Sequence, residues 1–327
     1  MSRRTIAIAV AGALAVIVAA FFAVRSLRPA SRYEPAPADA ARRTSVRARV
    51  DAAPAAPAPA ARVESVSGTV RVRRAGVEQD VTADAGLEVD DILTTGGDGR
   101  AVVRVDDENT VVLEAGTVVT WGAISDSLSS VQLDRGFLSA RTGEAGGRVF
   151  RVQALDRTAQ VESNAGAFDV AGDRERLAVG TASGSVTVQS GGETVRVEAG
   201  SYTTVRRGER PQVPRQLPGD VVAEIFWPGE QQADTGDRLI ADRSVVVRGR
   251  LSDGLSGVLT IRNERTGETY RVTTHADGSF EAQVALAEDQ PNALVVGGAA
   301  IGGSTVGEQR ATVVQDSTPP PLTVRIQ

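Results

Sequence analysis

Residues 184–197 read GSVTVQSGGETVRV, with valine at every second position in each half. Val186 and Val188 share one side of an extended chain, and Val195 and Val197 share one side of the next. Apolar residues at a period of two indicate a half-buried strand, because successive side chains point to opposite faces of a sheet. Since the same alternation returns from residue 63 to residue 314, we predict an all-β protein.

Short alternating runs precede this stretch, and turn residues such as Asp98-Gly99, Glu108-Asn109 and Ala115-Gly116 separate them. The predicted strands contain Val66–Val72, Ala101–Val105, Val111–Leu113, Val131–Leu138, Phe150–Val152 and Phe168–Val170. Strands this short and frequent predict a β-sandwich, jelly roll or rolled sheet for residues 63–209.

A cluster of prolines, Pro211, Pro214 and Pro218, ends the first β region, and we predict a linker at residues 210–219. Residues 220–327 contain further alternating runs, and Thr266-Gly267 and Asp277-Gly278 supply turns between them. The predicted strands are Ser244–Arg250, Gly257–Arg262, Thr269–Thr274, Ser279–Leu286, Ala293–Gly297, Arg310–Val314 and Leu322–Ile326. About seven strands are typical of an immunoglobulin-like β-sandwich.

The N-terminus contains an apolar stretch of 19 residues, Ile6–Val24, which predicts a single transmembrane helix after a cytoplasmic stub of residues 1–5. A cleaved signal peptide is the alternative, but Arg25, Arg28 and Arg32 occupy the position where a small-residue cleavage site is expected. Residues 25–62 are rich in Ala, Pro and Arg, and they predict a tether.

Two opposing arguments bear on the orientation of the predicted transmembrane helix in the membrane. More arginines follow the apolar stretch than precede it, which favours a cytoplasmic C-terminus. Long downstream domains are translocated regardless of such charge, and a tether suits the gap between membrane and cell wall. We therefore predict a single-pass inner-membrane protein whose C-terminal domains face the periplasm.

Charge and cysteine content exclude several classes of function. Residues 1–62 hold ten arginines against three acids, whereas the remaining residues hold 26 arginines against 38 acids. An acidic body repels phosphates, so nucleic acid is not an expected partner. The chain has no cysteine, which excludes disulfides and thiolate metal sites.

No residue pattern predicts catalysis, a cofactor or a metal. His275 is the single histidine and lies before the Asp277-Gly278 turn, so we interpret it as a solvent-facing strand residue and not as part of a Ser-His-Asp triad. The acidic clusters Asp90-Asp91 and Asp106-Asp107-Glu108 lack the spacing of a Ca²⁺ loop, and we interpret them as solvated turns. The glycine pairs at 297–298 and 302–303 precede no helix, and we expect a flexible loop there.

Trp121 and Trp227 are the two tryptophans and the candidate partner-binding residues. An exposed indole ring stacks on sugars or on partner side chains, whereas a buried one packs in a core or between domains. The sequence leaves both alternatives open.

The order of motifs from residue 63 to about residue 207 resembles the FecR domain of Gram-negative regulators. The resemblance is carried by Gly68-Thr69-Val70, Asp91-Ile92-Leu93-Thr94-Thr95-Gly96, Gly136-Phe137-Leu138, Gly166-Ala167-Phe168-Asp169-Val170, Val179-Gly180 and Gly184-Ser185-Val186-Thr187-Val188. It implies a periplasmic β module. Ala167 stands where the family has Thr, and the stub of five residues leaves no room for the anti-sigma domain that precedes the helix in FecR regulators.

Residues 220–327 resemble the immunoglobulin-like repeats of bacterial envelope proteins, through Val245–Gly249, Asp277–Phe280, Asn292 and Asp316–Pro320. Together the resemblances imply a membrane-anchored, non-catalytic binding or scaffold protein for an envelope protein or polysaccharide. The first alternative is a signalling receptor that regulates a membrane or sigma-factor partner. The second is a carbohydrate-processing enzyme, which the acidic clusters alone support.

Overall fold

The structure is a computed structural model that describes residues 61–317 apart from residues 126, 144–147, 233 and 235. All described residues belong to one compact unit. The predicted stub, the transmembrane helix Ile6–Val24 and the tether up to residue 60 lie outside the described residues. Within the described part, no helix is long and apolar enough to cross a membrane.

The first β region begins at Ala61, two residues earlier than the sequence predicted. Its strands are β1 Ala61–Ser67, β2 Val70–Arg74, β3 Val77–Asp80, β4 Gly86–Leu87, β5 Ile92–Thr95, β6 Arg100–Arg104, β7 Thr110–Leu113, β8 Val118–Ile124, β9 Leu128–Thr142, β10 Val149–Ala154, β11 Ala159–Ser163, β12 Gly166–Gly172, β13 Arg176–Ser190, β14 Glu193–Glu198, β15 Ser201–Arg206 and β16 Arg215–Gln216.

These strands form two rows that share the long strands β9 and β13. One row runs β4-β1-β6-β7-β9-β12-β13-β15-β16, and the other runs β3-β2-β5-β8-β9-β10-β11-β13-β14. Both shared strands change rows at a glycine with positive φ, Gly136 at 106° and Gly184 at 71°. A residue with a Cβ rarely adopts this conformation, so the two glycines allow each strand to bend from one row into the other.

The alternation of the sequence becomes the alternation of burial in these strands. In β10 and β11 every second residue is buried, including Val152 and Val161, and their side chains belong to one apolar core between the two rows. That core also contains Phe150 and Phe168, whose ring centroids lie 6.3 Å apart. The prediction of an all-β fold is therefore confirmed for the described residues.

The second β region contains strands and two 3₁₀ turns, Ser252–Gly254 and Ile301–Gly303. Its strands are β17 Asp220–Val221, β18 Ala223–Phe226, β19 Glu230–Gln231, β20 Arg238–Ile240, β21 Ser244–Leu251, β22 Gly257–Asn263, β23 Thr269–Thr273, β24 Ser279–Ala285, β25 Pro291–Ala300 and β26 Thr305–Gln315.

Two sheets make up this second region. The larger has the order β19-β20-β26-β25-β22-β23, with β17 also paired to β26, and the smaller has the order β18-β21-β24. Apolar residues from both sheets, such as Val247 and Leu259, meet in a second core. Six of the seven strands predicted here are present, and the seventh, Leu322–Ile326, lies outside the described residues.

The residues predicted as a linker are hydrogen-bonded to the first region. The N–H of Gln212 donates to the carbonyl of Thr204 at 2.9 Å, and the N–H of Leu217 donates to the carbonyl of Gly200 at 2.8 Å. Pro211 is buried, and Arg215–Gln216 pairs with the start of β15. The division into domains at residues 210–219 stays a prediction, but this segment is not a free connection.

The second core extends onto the outer surface of the first region. Phe137, Ala171, Ala178 and Tyr202, from four strands of the first region, belong to the same cluster as the apolar residues of the second. The two β regions therefore bury apolar surface against each other, which is the main favourable contribution to association.

Candidate functional site

Trp227, one of the two predicted partner-binding residues, lies beside a surface cavity of the second region. The cavity has a volume of about 370 Å³, and Gln231, Arg238, Arg310 and Thr312 line it together with the tryptophan. Trp227 follows β18 directly and is half-buried, packing on the second core. An aromatic side chain next to several polar groups is a frequent arrangement at sites that bind sugars or peptides.

The two arginines of this cavity are held in place by oxygen acceptors. Arg238 donates from Nη1 to the carbonyl oxygens of Trp227 and Gly229, at 3.1 and 3.0 Å. Arg310 donates from Nη2 to Oε1 of Glu264 at 2.7 Å. A guanidinium has five N–H donors, so each arginine retains donors for a ligand.

Phe226 precedes Trp227, and its side chain is 59% exposed. Phe226 is not among the residues predicted from the sequence, although the run Ile225-Phe226-Trp227 at the start of a β region was a usable signal. Phe226 therefore adds an exposed aromatic surface next in the chain to the half-buried Trp227, and aromatic rings supply large contact areas at low cost in conformational entropy.

Trp121, the other predicted residue, is in the core of the first region and is 1% exposed. It lies on β8, where alternate residues are buried, and Val119 shares its inward face. The ring offers no surface to a partner in this structure, which agrees with the core alternative and not with the binding one.

A buried carboxylate, Glu114, joins the two β regions. Its side chain is 4% exposed and accepts hydrogen bonds from Nε and Nη2 of Arg271, on β23, at 2.6 and 2.8 Å. Arg100, on β6, donates to the same carboxylate at 3.3 Å. Charge-assisted bonds of this bidentate kind fix orientation as well as adding energy, so Glu114 sets the position of β23 against the first region.

A second carboxylate at the junction is Asp169, within the Phe168–Val170 part of the FecR-like motif. It accepts hydrogen bonds from Ser139 Oγ at 2.6 Å and from the N–H of Gly302, in the second 3₁₀ turn, at 2.8 Å. Burial raises the pKa of Asp169, the two hydrogen bonds lower it, and the charge of nearby Glu114 raises it further, so that the pKa lies above its ordinary value.

Close backbone approach completes the junction at Gly180. A Cβ on this residue would lie 2.8 Å from Cγ1 of Ile301 and 2.9 Å from the N atom of Gly302. Real Cβ atoms do not make contacts this short, so the docking of the 3₁₀ turn on β13 requires glycine here. The glycine pairs of the second region are not a flexible loop: 297–298 lie in β25, and 302–303 lie in this turn and its immediate end.

The acidic clusters are structural, and one of them is not solvated as predicted. Asp91 is 1% exposed, and its carboxylate accepts hydrogen bonds from Nε and Nη2 of Arg74 at 2.8 and 2.5 Å. These hydrogen bonds raise the pKa of Arg74. Asp106 accepts from the N–H groups of Glu108 and Asn109 at 2.9 and 2.7 Å. Burial by itself would raise the pKa of Asp106, but these bonds outweigh it and lower the pKa.

His275 is exposed and lies in the loop between β23 and β24, just beyond the strand in which the sequence placed it. Its backbone N–H donates to the carbonyl of Ser279 at 2.8 Å, which closes the turn. In the described part of the chain, no three His, Cys, Asp or Glu side chains are grouped as metal ligands.

Comparison with known proteins does not assign the chain to a family. No family model matches it, and no curated protein matches it. A solved structure of a protein described as an anti-sigma factor from Parabacteroides distasonis is 21% identical with a TM-score of 0.35, over 38% of this chain and 59% of that one. Fibronectin(III)-like modules of CbhA from Clostridium thermocellum are 10% identical with a TM-score of 0.23, over 64% of this chain and all of theirs.

A third similar structure is SGBP-B of the Bacteroides ovatus mixed-linkage glucan utilization locus, in complex with a mixed-linkage heptasaccharide. It is 12% identical with a TM-score of 0.18, over 77% of this chain and 60% of that one. The chain thus spans about three fifths of the anti-sigma-factor structure it matches. Scores of this size leave the FecR-like and immunoglobulin-like assignments as resemblances.

Proposed function

We propose that this chain is a non-catalytic binding or scaffold protein of the cell envelope, anchored in the inner membrane and exposed to the periplasm. The observation that carries the proposal is the packed junction. Glu114 with Arg271, Asp169 with Gly302, and a shared apolar cluster hold two β regions in one compact unit. A scaffold requires such fixed geometry, because a partner then meets both regions in one arrangement.

The cavity beside Trp227 is the proposed contact for the envelope partner. It is open and has a polar lining, as expected of a surface that recognises another macromolecule, and the indole ring supplies apolar contact area. The partner is a protein or a polysaccharide of the envelope. The FecR-like resemblance supports a second candidate, a receptor that acts on a membrane or sigma-factor partner.

Chemical crosslinking in intact cells, followed by purification of the full-length chain, tests the proposal. We expect envelope or cell-wall material to copurify, and we expect Trp227→Ala to reduce its yield while Val213→Ala does not. Val213 is the control because it is 81% exposed and does not line the cavity. Recovery of an anti-sigma factor or a kinase, unaffected by Trp227→Ala, would instead support the receptor.

Topology is tested by cysteine labelling, since the chain has no native cysteine. Ala83 is exposed in a turn and is suited to an Ala83→Cys variant, whereas Ala159 is 1% exposed and suits a buried control. In cells whose outer membrane admits an impermeant maleimide, Ala83→Cys should react before lysis and Ala159→Cys only after denaturation. Reaction of Ala83→Cys only after the inner membrane is broken contradicts the periplasmic location.

A further inference from the structure

Strands β23 and β24 are the outermost strands on one side of the second region. Among the described residues, β23 pairs only with β22, and β24 pairs only with β21. The two strands are linked at both ends: the N–H of Ala285 donates to Tyr270 Oη at 3.0 Å, and the N–H of His275 donates to the carbonyl of Ser279 at 2.8 Å. Between these links, two strand edges lie open next to each other.

The direction of the backbone groups on β24 follows from its hydrogen bonds. The backbone N–H of Leu286 donates to the carbonyl of Arg243, just before β21, and therefore points towards β21. The backbone N–H of Ala285 donates to the hydroxyl of Tyr270 and points towards the open edge. Because N–H and C=O groups alternate in direction along a strand, Glu281 and Gln283 also present both groups to the open edge. Neither residue has a backbone hydrogen bond there within the described part of the chain.

The same reasoning applies to β23. The N–H of Thr274 donates to Gly257 and so faces β22. By alternation, Arg271 and Thr273 turn their backbone N–H and C=O groups away from β22 and towards the gap. Both edges therefore present unpaired donors and acceptors at the spacing of an extended chain.

A groove of about 570 Å³ runs along these edges, and consecutive residues of both strands, 269–273 and 281–283, line it. Turns of the first region, at Gly97-Asp98 and Ala115-Gly116, form its other wall. A chain that pairs with β24 lies about 4.8 Å from it, on the side of the open edge that faces the groove.

The charges along the groove are nearly balanced. Glu281 is paired with Arg248 at 2.6 Å. Arg100 and Arg271, the two arginines of the lining, both donate hydrogen bonds to the buried carboxylate of Glu114. Asp98 supplies one further negative charge. A lining with little net charge suits an uncharged segment, because a strongly charged one would lose hydration there without gaining an opposite charge.

We propose that this groove binds an extended, uncharged and proline-free segment of a partner protein, which adds as a strand to β24. The proposal rests on the proposed binding function and specifies a polypeptide as the partner chemistry. Backbone N–H and C=O groups recognise another backbone, as in other cases of strand addition. The chain's own residues 318–327, a second copy of the chain and a polysaccharide are the competing occupants.

The test uses full-length protein in detergent micelles and a fluorescent capped hexapeptide, SVTVQS, copied from residues 185–190. The Gln283→Pro variant removes the outward N–H without removing a hydrogen bond to β21, a position where proline is tolerated in an edge strand. Gln283→Ala is the matched control, because it loses the same side chain and keeps the N–H. We expect Gln283→Pro to weaken peptide binding about tenfold and Gln283→Ala to change it less than about threefold.

Hydrogen exchange on the wild-type chain gives a second measurement that needs no folded proline variant. Exchange of the Glu281 and Gln283 amides should slow when the peptide is added. Equal binding by the proline and alanine variants, or unchanged exchange with peptide bound, overturns the proposal.

The competing occupants have distinct results, each of which also overturns it. Deletion of residues 318–327 that strongly increases peptide affinity identifies the chain's own C-terminal residues. Dimers in light scattering that Gln283→Pro dissociates identify a second copy, and displacement of the peptide by purified cell-wall polysaccharide identifies a sugar. The crosslinking test at Trp227 probes a different surface, so it fails or succeeds independently.

Discussion

Removing Arg271 should destabilise the junction between the two β regions. Its guanidinium donates two short hydrogen bonds to Glu114, whose side chain is 4% exposed, while Arg271 itself is 46% exposed. Breaking a fully buried ion pair from one side costs about 3–5 kcal/mol, because a buried charge is left without its partner. Arg100 still contacts the carboxylate, and solvent reaches Arg271, so we expect about 2 kcal/mol for Arg271→Ala.

The reverse truncation should cost less. Glu114→Ala leaves no buried charge, and both arginines are exposed enough to be hydrated, so we expect about 1 kcal/mol. The double variant should resemble Glu114→Ala alone, since Arg271 then has no carboxylate to lose. The double variant should therefore cost about 2 kcal/mol less than the sum of the two single variants, and this shortfall is the coupling free energy between Glu114 and Arg271.

Urea unfolding of the compact unit, residues 57–327, measures these free energies, with circular dichroism and tryptophan fluorescence as separate probes of the transition. The melting temperature should fall by about 3–4 °C for Arg271→Ala. Arg196→Ala is the control, because its pair with Glu198 is 68% and 62% exposed and should contribute less than about 0.5 kcal/mol. If Arg271→Ala matches this control, or if the coupling free energy is zero, Glu114 does not fasten β23 to the first region.

Three further predictions concern the two β regions, and the third of them uses the full-length chain. Gly180→Ala should lower the free energy of unfolding by about 1–3 kcal/mol, because the added Cβ meets the 3₁₀ turn Ile301–Gly303. Gly307→Ala is the control, because a Cβ there meets open space. Similar urea midpoints for the two variants would contradict the close approach at Gly180. The pKa of Asp169 is raised in the fold, so burying its charge destabilises the protein as the pH rises above about 4, the ordinary pKa of an Asp side chain. The stability of Asp169→Asn relative to wild type should therefore increase as the pH rises above about 4, and a difference that shrinks with rising pH would refute the sign. Trypsin should cut after Arg215 far more slowly than in residues 25–60, because Arg215 is paired with β15. Mass spectrometry identifies the early fragments, and cleavage after Arg215 before any other site would contradict the pairing of this segment with β15.

The sequence by itself determined the all-β character and most strand positions. Alternation at a period of two depends only on which side chains are apolar, and in β10, β21 and β22 the alternating residues are the buried ones. Five of the six described strands predicted in the second region have bounds within three residues of the observed ones, and β26 begins five residues earlier than predicted. Thr266-Gly267 and Asp277-Gly278 mark the turns between β22, β23 and β24 locally, whereas the short strands β17 to β20 were not predicted. The choice between core and surface for the tryptophans stayed open, since a single aromatic residue has no period.

Only the tertiary structure decided how the two regions meet and which edges stay open. Glu114 follows an apolar run, and its charge there was a signal that something compensates it, but Arg271 lies 157 residues away. Pairing over such a distance depends on the packing of whole sheets and not on any local pattern. The open edges of β23 and β24 likewise depend on which strands are neighbours, and strand order is a property of the complete fold, since each strand could pair with any other of similar pattern.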